Sequence, residues 1–179
     1  MARILPKTFH LVINLCTVYF FEYCIINCFA DRIANKLKDD PANADKQDDL
    51  NIKEFFQILN LCYQLGVFMS RSSLQYVKIK KVWILTLLQF INWSFLFVNT
   101  QFMLVTSLYV MCPLFVWVGL MGGGSYVNVL HSILELKTVK KSEMEGALVM
   151  TLMFNDIGII SSAFFTLIMD NSLFKSLKK

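Results

Sequence analysis

Polar and apolar positions divide this chain into long blocks, not into the short alternations of a water-soluble domain. From Val82 to Leu134 there is no Asp, Glu, Lys or Arg, a run of 53 residues. As a single helix this run would be a rod of roughly 80 Å. A bilayer core is about 30 Å thick, so the run must turn back once and cross twice. Asn99-Thr100-Gln101 is the polar triplet near its middle and marks the expected hairpin. The same reading predicts spans at Phe9–Ala30, Phe55–Ser70, Val82–Val98, Phe102–Met121 and Ala147–Met169. The second is short and is expected to stay helical past Arg71, and the fourth to run on through a glycine-rich stretch to Leu134. The fold class is therefore an all-α polytopic membrane protein with about five transmembrane helices.

The segments between the apolar blocks carry the charge. Asp31–Glu54 holds seven acids and five bases, a composition that suggests a mostly flexible loop. Arg71–Lys81 holds four bases and no acid. Short basic loops stay in the cytosol, so Arg71–Lys81 is placed there. Alternation then puts the N-terminus and the balanced segment Glu135–Glu145 in the cytosol, with the acidic loop and the Asn99 turn on the luminal or exterior side. Five crossings also send the basic tail, with Lys175, Lys178 and Lys179, to the far side, against the same charge rule. Arg3 and Lys7 ahead of an apolar run resemble a signal peptide, but Phe9–Ala30 is long for one and contains Glu22, so it reads as a span.

Composition agrees with this. Charged residues make up 17% of the chain, against about 25% in soluble proteins. The net charge of +4 belongs to loop lysines, and no basic stripe interleaves with aromatics as a nucleic-acid surface would require. All five cysteines lie in apolar runs and read as buried thiols, with no cofactor or metal implied. Asn92-Trp93-Ser94 matches a glycosylation sequon but falls inside a span. No hydrolase elbow, phosphate loop or zinc-protease motif is present, so the expectation is a protein that is not an enzyme.

Glu22 and Asp156 are the acids inside the expected spans. An ionised side chain there costs about 2–4 kcal/mol on insertion scales, which makes such residues functional candidates. The alternative is a carboxyl that only supports packing. Tyr63-Gln64 and Ser70-Arg71-Ser72-Ser73 lie towards the basic end of the second span. Arg71 there is either a bidentate anion ligand or a topology anchor. Gly119, Gly122, Gly123 and Gly124 fall within one span, where glycines allow helices to approach closely or to break around a substrate. Tyr126, Asn128 and His131 follow, His131 reading as a loop-edge residue. Tyr76-Val77-Lys78-Ile79 has the form of a weak cytosolic sorting signal.

These blocks resemble the battenin family of lysosomal membrane proteins. The resemblance rests on Val18-Tyr19-Phe20-Phe21-Glu22-Tyr23, on Tyr63-Gln64 with Gly66-Val67-Phe68 and Ser70-Arg71-Ser72-Ser73-Leu74, and on Gly119-Leu120 with Gly122-Gly123 and Tyr126-Val127-Asn128, in that order. It implies a late-endosomal or lysosomal membrane location and a fold similar to the C-terminal half of a major-facilitator transporter over residues 1–179. It also implies a part in moving small solutes, glycerophosphodiesters or basic amino acids, and in lysosomal homeostasis including pH. The alternatives are a non-transporting regulator acting through partners and a truncated isoform without activity of its own. Besides the bilayer and a small solute, the expected partner is a second copy or another membrane protein that completes the fold.

The chain departs from the family at several points. Val118 stands where the family has a Glu before the Gly-Leu pair, Gln57-Ile58-Leu59 replaces Arg and aromatics, and Ile26 takes the place of an Asn. Asn155 rather than Asp156 matches the family's acid in its spacing from the following glycine. On this reading Glu22 and Arg71 line one polar cavity, and Tyr126 and Asn128 face it.

Overall fold

The structure is a computed structural model, and it describes residues 5–40, 49–136 and 139–176. Every regular element in it is helical. Helix α1 (Leu5–Cys24) passes without a break through a π-helical turn, Ile25–Ala30, into α2 (Asp31–Asp39). The short α3 (Leu50–Lys53) leads into α4 (Phe55–Ser72), followed by α5 (Trp83–Phe102), α6 (Leu108–Leu134) and α7 (Met144–Ser176). Four stretches are long and apolar enough to cross a membrane: Thr8–Asp39, Trp83–Phe102, Leu108–Leu134 and Lys141–Ser172.

Helix α4 corresponds to the second expected span and is not among these four. Its polar residues Gln57, Asn60 and Gln64 leave it less apolar than the other four, but it lies flat along α6. A Cβ on Gly66 would overlap the carbonyl oxygen of Val116, and one on Gly119 would overlap that of Tyr63. The two backbones touch because neither position carries a side chain. Successive contacts ascend together in both helices, so α4 and α6 are parallel. Helix α1 likewise runs parallel to α7, through Cys16 with Gly158 and Phe20 with Phe165. It is parallel to α5 through Asn14 with Thr86 and Phe21 with Phe90. Between α1 and α6 the order reverses, Glu22 meeting Gly122 and Tyr19 meeting Tyr126. Three helices thus run one way and two the other, as five successive crossings require.

Several expected boundaries shift. Asn99-Thr100-Gln101 is the last turn of α5, not the hairpin itself, and the connection is 103–107. Met103 takes a left-handed conformation (φ 51°) and its amide closes on the Asn99 carbonyl, a helix-ending geometry. The Asn99 amide group donates to the Val105 carbonyl and its oxygen accepts from the Val105 amide, at 2.9 and 2.7 Å. The triplet therefore makes the turn while lying just before it.

The acidic segment is more ordered than its composition suggests, since 31–39 and 50–53 are helical; residues 41–48 lie outside the described residues. Span one consequently runs past Ala30 to Asp39. Lys36 secures that extension by donating to the Thr100 and Gln101 carbonyls at the end of α5, at 2.8 and 3.4 Å. Lysine at a helix C-terminus satisfies carbonyls that have no partner within the helix. The segment Lys141–Glu143 forms a 3-10 turn into α7, which is longer than expected at both ends; Lys178 and Lys179 fall outside the described residues.

The apolar interior forms two clusters. One gathers Phe29, Phe55, Leu59, Phe115 and Val118 around the π-helical turn. The other gathers Leu11, Leu15, Val18, Val129 and Ile133 nearer the start of α1. Trp93 sits at the centre of an aromatic group, stacked with Phe90 and Phe97 and touching Phe21, Phe29 and Phe165. On the outside Leu61, Phe68, Ile91, Phe102, Phe164 and Ile168 are exposed. An apolar exterior of this extent suits contact with lipid chains.

Candidate functional site

Glu22 lies at the seam between the two apolar clusters. It is 1% exposed, and neither carboxyl oxygen has a hydrogen-bond partner of good geometry. The reason it fits there is Gly122. A Cβ built on that glycine would overlap both carboxyl oxygens of Glu22, so the acid occupies the space that any other residue on α6 would fill. Tyr63, from α4, and Arg71 both lie within electrostatic reach of it.

Arg71 approaches from the other side of Tyr19. Its Nη2 donates to the Tyr19 hydroxyl at 3.2 Å, and its guanidinium lies 4.7 Å from the centre of the Tyr126 ring. That stacking is a cation–π contact, and the planar guanidinium suits it better than an ammonium would. The Tyr19 ring stacks in turn against Tyr23 at 6.1 Å and tilts against Tyr126 at 6.3 Å. One helical turn separates Tyr19 from Glu22, so acid and cation are neighbours joined through tyrosines, not a direct ion pair. Arg71 itself is exposed.

The glycine block acts by packing. Helix α6 continues through Gly122-Gly123-Gly124 unbroken, so the broken-helix alternative does not hold. Gly123 admits the Ser70 hydroxyl and the Val67 carbonyl of α4, and Ser70 donates to the Val67 carbonyl at 3.1 Å. This close approach brings Arg71, the next residue, over α6.

Of the sequence candidates, Glu22, Tyr63, Arg71 and Tyr126 come together. Gln64 does not, being exposed to the side of the buried Tyr63 on α4. Asp156 is exposed on α7 and within electrostatic reach of Tyr23, while Asn155 turns inwards, 7% exposed. Asn128 is buried but serves elsewhere. Its side chain accepts from the Ile79 amide at 2.7 Å and donates to the Gly124 carbonyl at 2.8 Å, tying the basic connection to α6. Tyr76 is 87% exposed, but Ile79 is held by that clasp, so Tyr76–Ile79 is not presented as a free extended signal. His131 pairs with Glu135 at 3.6 Å at the end of α6, as a loop-edge residue would.

The expected single cavity is not what surrounds Glu22, which is packed. A cavity of about 760 Å³ lies at the far end, between α3, α4 and the start of α6, lined by Ile52, Phe55, Ser107 and Cys112. Another, of about 270 Å³, lies beside the basic connection. Sequence reasoning also missed Tyr19, although its i, i+3 spacing from Glu22 places both on one helix face. It missed Gln89 and Ser125 as well, each fully or almost fully buried with an unpartnered polar atom.

The CLN3 protein family profile matches residues 1–176. This chain belongs to the CLN3 protein family. It is 42% identical to the Battenin of Dictyostelium discoideum over 164 residues, which cover 92% of this chain and 37% of that relative. It is 34% identical to the Battenin of Canis lupus familiaris over 68% of this chain and 26% of the relative. It is 29% identical to Protein BTN1 of Eremothecium gossypii over 95% of this chain and 40% of the relative. The chain therefore spans well under half the length of these CLN3 relatives. No solved structure matches it. Val118 is fully buried in the apolar cluster around the π-helical turn.

Proposed function

We propose that this chain is the transport-bearing half of a multi-pass lysosomal or late-endosomal membrane protein that moves small charged solutes. The observation that supports this most is the Glu22 carboxyl, buried beside Tyr63 inside a membrane bundle, one helical turn from Tyr19, which accepts from the accessible Arg71. An ionised acid in such a place costs about 2–4 kcal/mol. A proton, a cationic group or water removes that cost, and each can be exchanged during a transport cycle. Arg71 supplies the complementary chemistry, a planar donor for a carboxylate or phosphodiester. Glycerophosphodiesters and basic amino acids are the solute classes that the family resemblance implies, and lysosomal pH would follow from coupled proton movement. The major-facilitator-like arrangement belongs to the same proposal. So does closure of the exposed Arg71 side by the rest of a longer protein, a second copy or another membrane protein.

A regulator acting through partners is the competing reading, favoured by the close packing around Glu22. Purified full-length protein containing this half, in liposomes with no other protein, separates the two. Time-dependent uptake of labelled glycerophosphocholine or arginine is the expected result. Uptake no faster than in empty liposomes would support the regulator.

A further inference from the structure

The basic connection between α4 and α5 borders a second cavity. Its middle is fixed, because Asn128 on α6 accepts the Ile79 amide at 2.7 Å and is itself braced by the Gly124 carbonyl. Ser132 on the next turn donates to the Asn128 carbonyl at 2.7 Å. The clasp leaves a cavity of about 270 Å³ between the connection and the end of α6, with Lys78 and Lys80 on one wall and His131, Ser132 and Glu135 on the other. Lys78 and Lys80 are exposed, so their ammonium groups are available to a ligand. Along the same connection Tyr76 and Trp83 are 87% and 55% exposed. Aromatic side chains of this kind settle at the headgroup level of a bilayer.

We infer that this cavity binds the phosphate of an anionic lipid headgroup in the leaflet that the connection faces. Three features combine. Two ammonium groups stand on a backbone held in place, so the ligand need not order the loop. On the opposite wall the Nε2 side of the His131 ring is free of the Glu135 contact and can donate when the ring is protonated, while the Ser132 proton is already given to the Asn128 carbonyl. The volume admits a phosphate with its attached polyol but no acyl chain, and the flanking Tyr76 and Trp83 put the cavity at the depth where lipid phosphates lie. Basic pockets at helix ends are a recognised mode of binding phosphorylated headgroups. Glu135, 3.6 Å from His131, opposes an anion. This inference stands independently of the transport reading, since none of its residues belongs to the Glu22 cluster.

The test uses the full chain in phosphatidylcholine nanodiscs, titrated with a short-chain phosphatidylinositol phosphate and, separately, with inorganic phosphate. Saturable binding of the lipid is expected, weakened about fivefold by each of Lys78→Ala and Lys80→Ala. Glu135→Gln should tighten it. Equal binding of inorganic phosphate would assign the site to free phosphate, with the same two lysines required. Binding unchanged in the Lys78→Ala/Lys80→Ala double variant, or no binding of either ligand, would overturn the inference. Both lysines are exposed, so these variants retain the fold, and an unchanged thermal transition confirms it.

Discussion

The carboxyl group of Glu22 rests on the bare Cα of Gly122, in the space that a side chain at 122 would otherwise occupy. This relationship ties the acid of α1 to the glycine block of α6 and sets the depth at which Glu22 sits. A methyl group at 122 must displace the carboxyl, the movable end of a flexible side chain. Gly122→Ala is therefore expected to cost about 1–3 kcal/mol, the usual range for overpacking. In a Glu22→Ala background the same change should cost close to nothing, because the obstructing group is gone. Thermal unfolding of the four proteins in nanodiscs gives the coupling; additive losses would show that the contact is not made.

At Gly66 and Gly119 the obstacle is backbone, the carbonyls of Val116 and Tyr63, which do not swing aside. Leu at either position should push α4 away from α6. The thiols of Cys62 on α4 and Cys112 on α6 interact across this seam and report on it. Mild oxidation is expected to join them in the native chain and to fail in Gly119→Leu. Equal cross-linking in both would mean that the glycine contact does not hold the helices together.

Arg71 is held by a hydroxyl and by a ring, so its two partners should be separable. Tyr19→Phe removes the hydrogen bond at 3.2 Å and Tyr126→Leu removes the stacking at 4.7 Å. A double-mutant cycle between Arg71→Ala and Tyr126→Leu is expected to show coupling of about 0.5–2 kcal/mol, the range for a cation over an aromatic face. Arg71→Lys should retain only part of it. Coupling indistinguishable from zero would remove Tyr126 from the cluster.

The parallel pair α4 and α6, against α1, α5 and α7, fixes which connections share a side. The segment 73–82 and the segment 135–143 lie on one side, and the 103–107 turn on the other. The basic connection is expected to face the cytosol. A cysteine introduced at Gln75, in a background lacking the native thiols, should react with an impermeant maleimide added outside intact lysosomes. A cysteine at Ser107 should react only after the membrane is opened. The reverse pattern would invert the orientation.

Much of this architecture was legible because membrane insertion is decided by long, simple patterns. The uncharged run Val82–Leu134 dictated α5 and α6, and the glycines of α6 announced a close helix contact. Glu22 and Arg71 stood out through the cost of charge near lipid. What stayed hidden depends on side-chain direction. Nothing in local sequence distinguishes Tyr63, turned towards Glu22, from its neighbour Gln64, turned outwards, without knowing which face of α4 meets α6. Asn128 reads as a ligand until the Ile79 amide is found on its oxygen. Asp156 reads as a buried acid until α7 is seen to touch the bundle by only one side, with Asn155 inward. The extension of α1 into Asp31–Asp39 was masked by its charge, which Lys36 turns to use on the end of α5.

The most direct test of the transport reading is solute movement by the full-length protein carrying Glu22→Gln or Arg71→Ala, compared with the parent protein at equal abundance in lysosomes. Each substitution is predicted to lower efflux by roughly tenfold or more, equivalent to about 1.4 kcal/mol, with the thermal transition retained. For an anionic glycerophosphodiester, Arg71→Ala should act mainly on KM; for a basic amino acid, Glu22→Gln should. Efflux of both solutes at the parent rate in both variants would contradict the account, leaving the Glu22–Tyr19–Arg71–Tyr126 cluster a packing feature of the bundle.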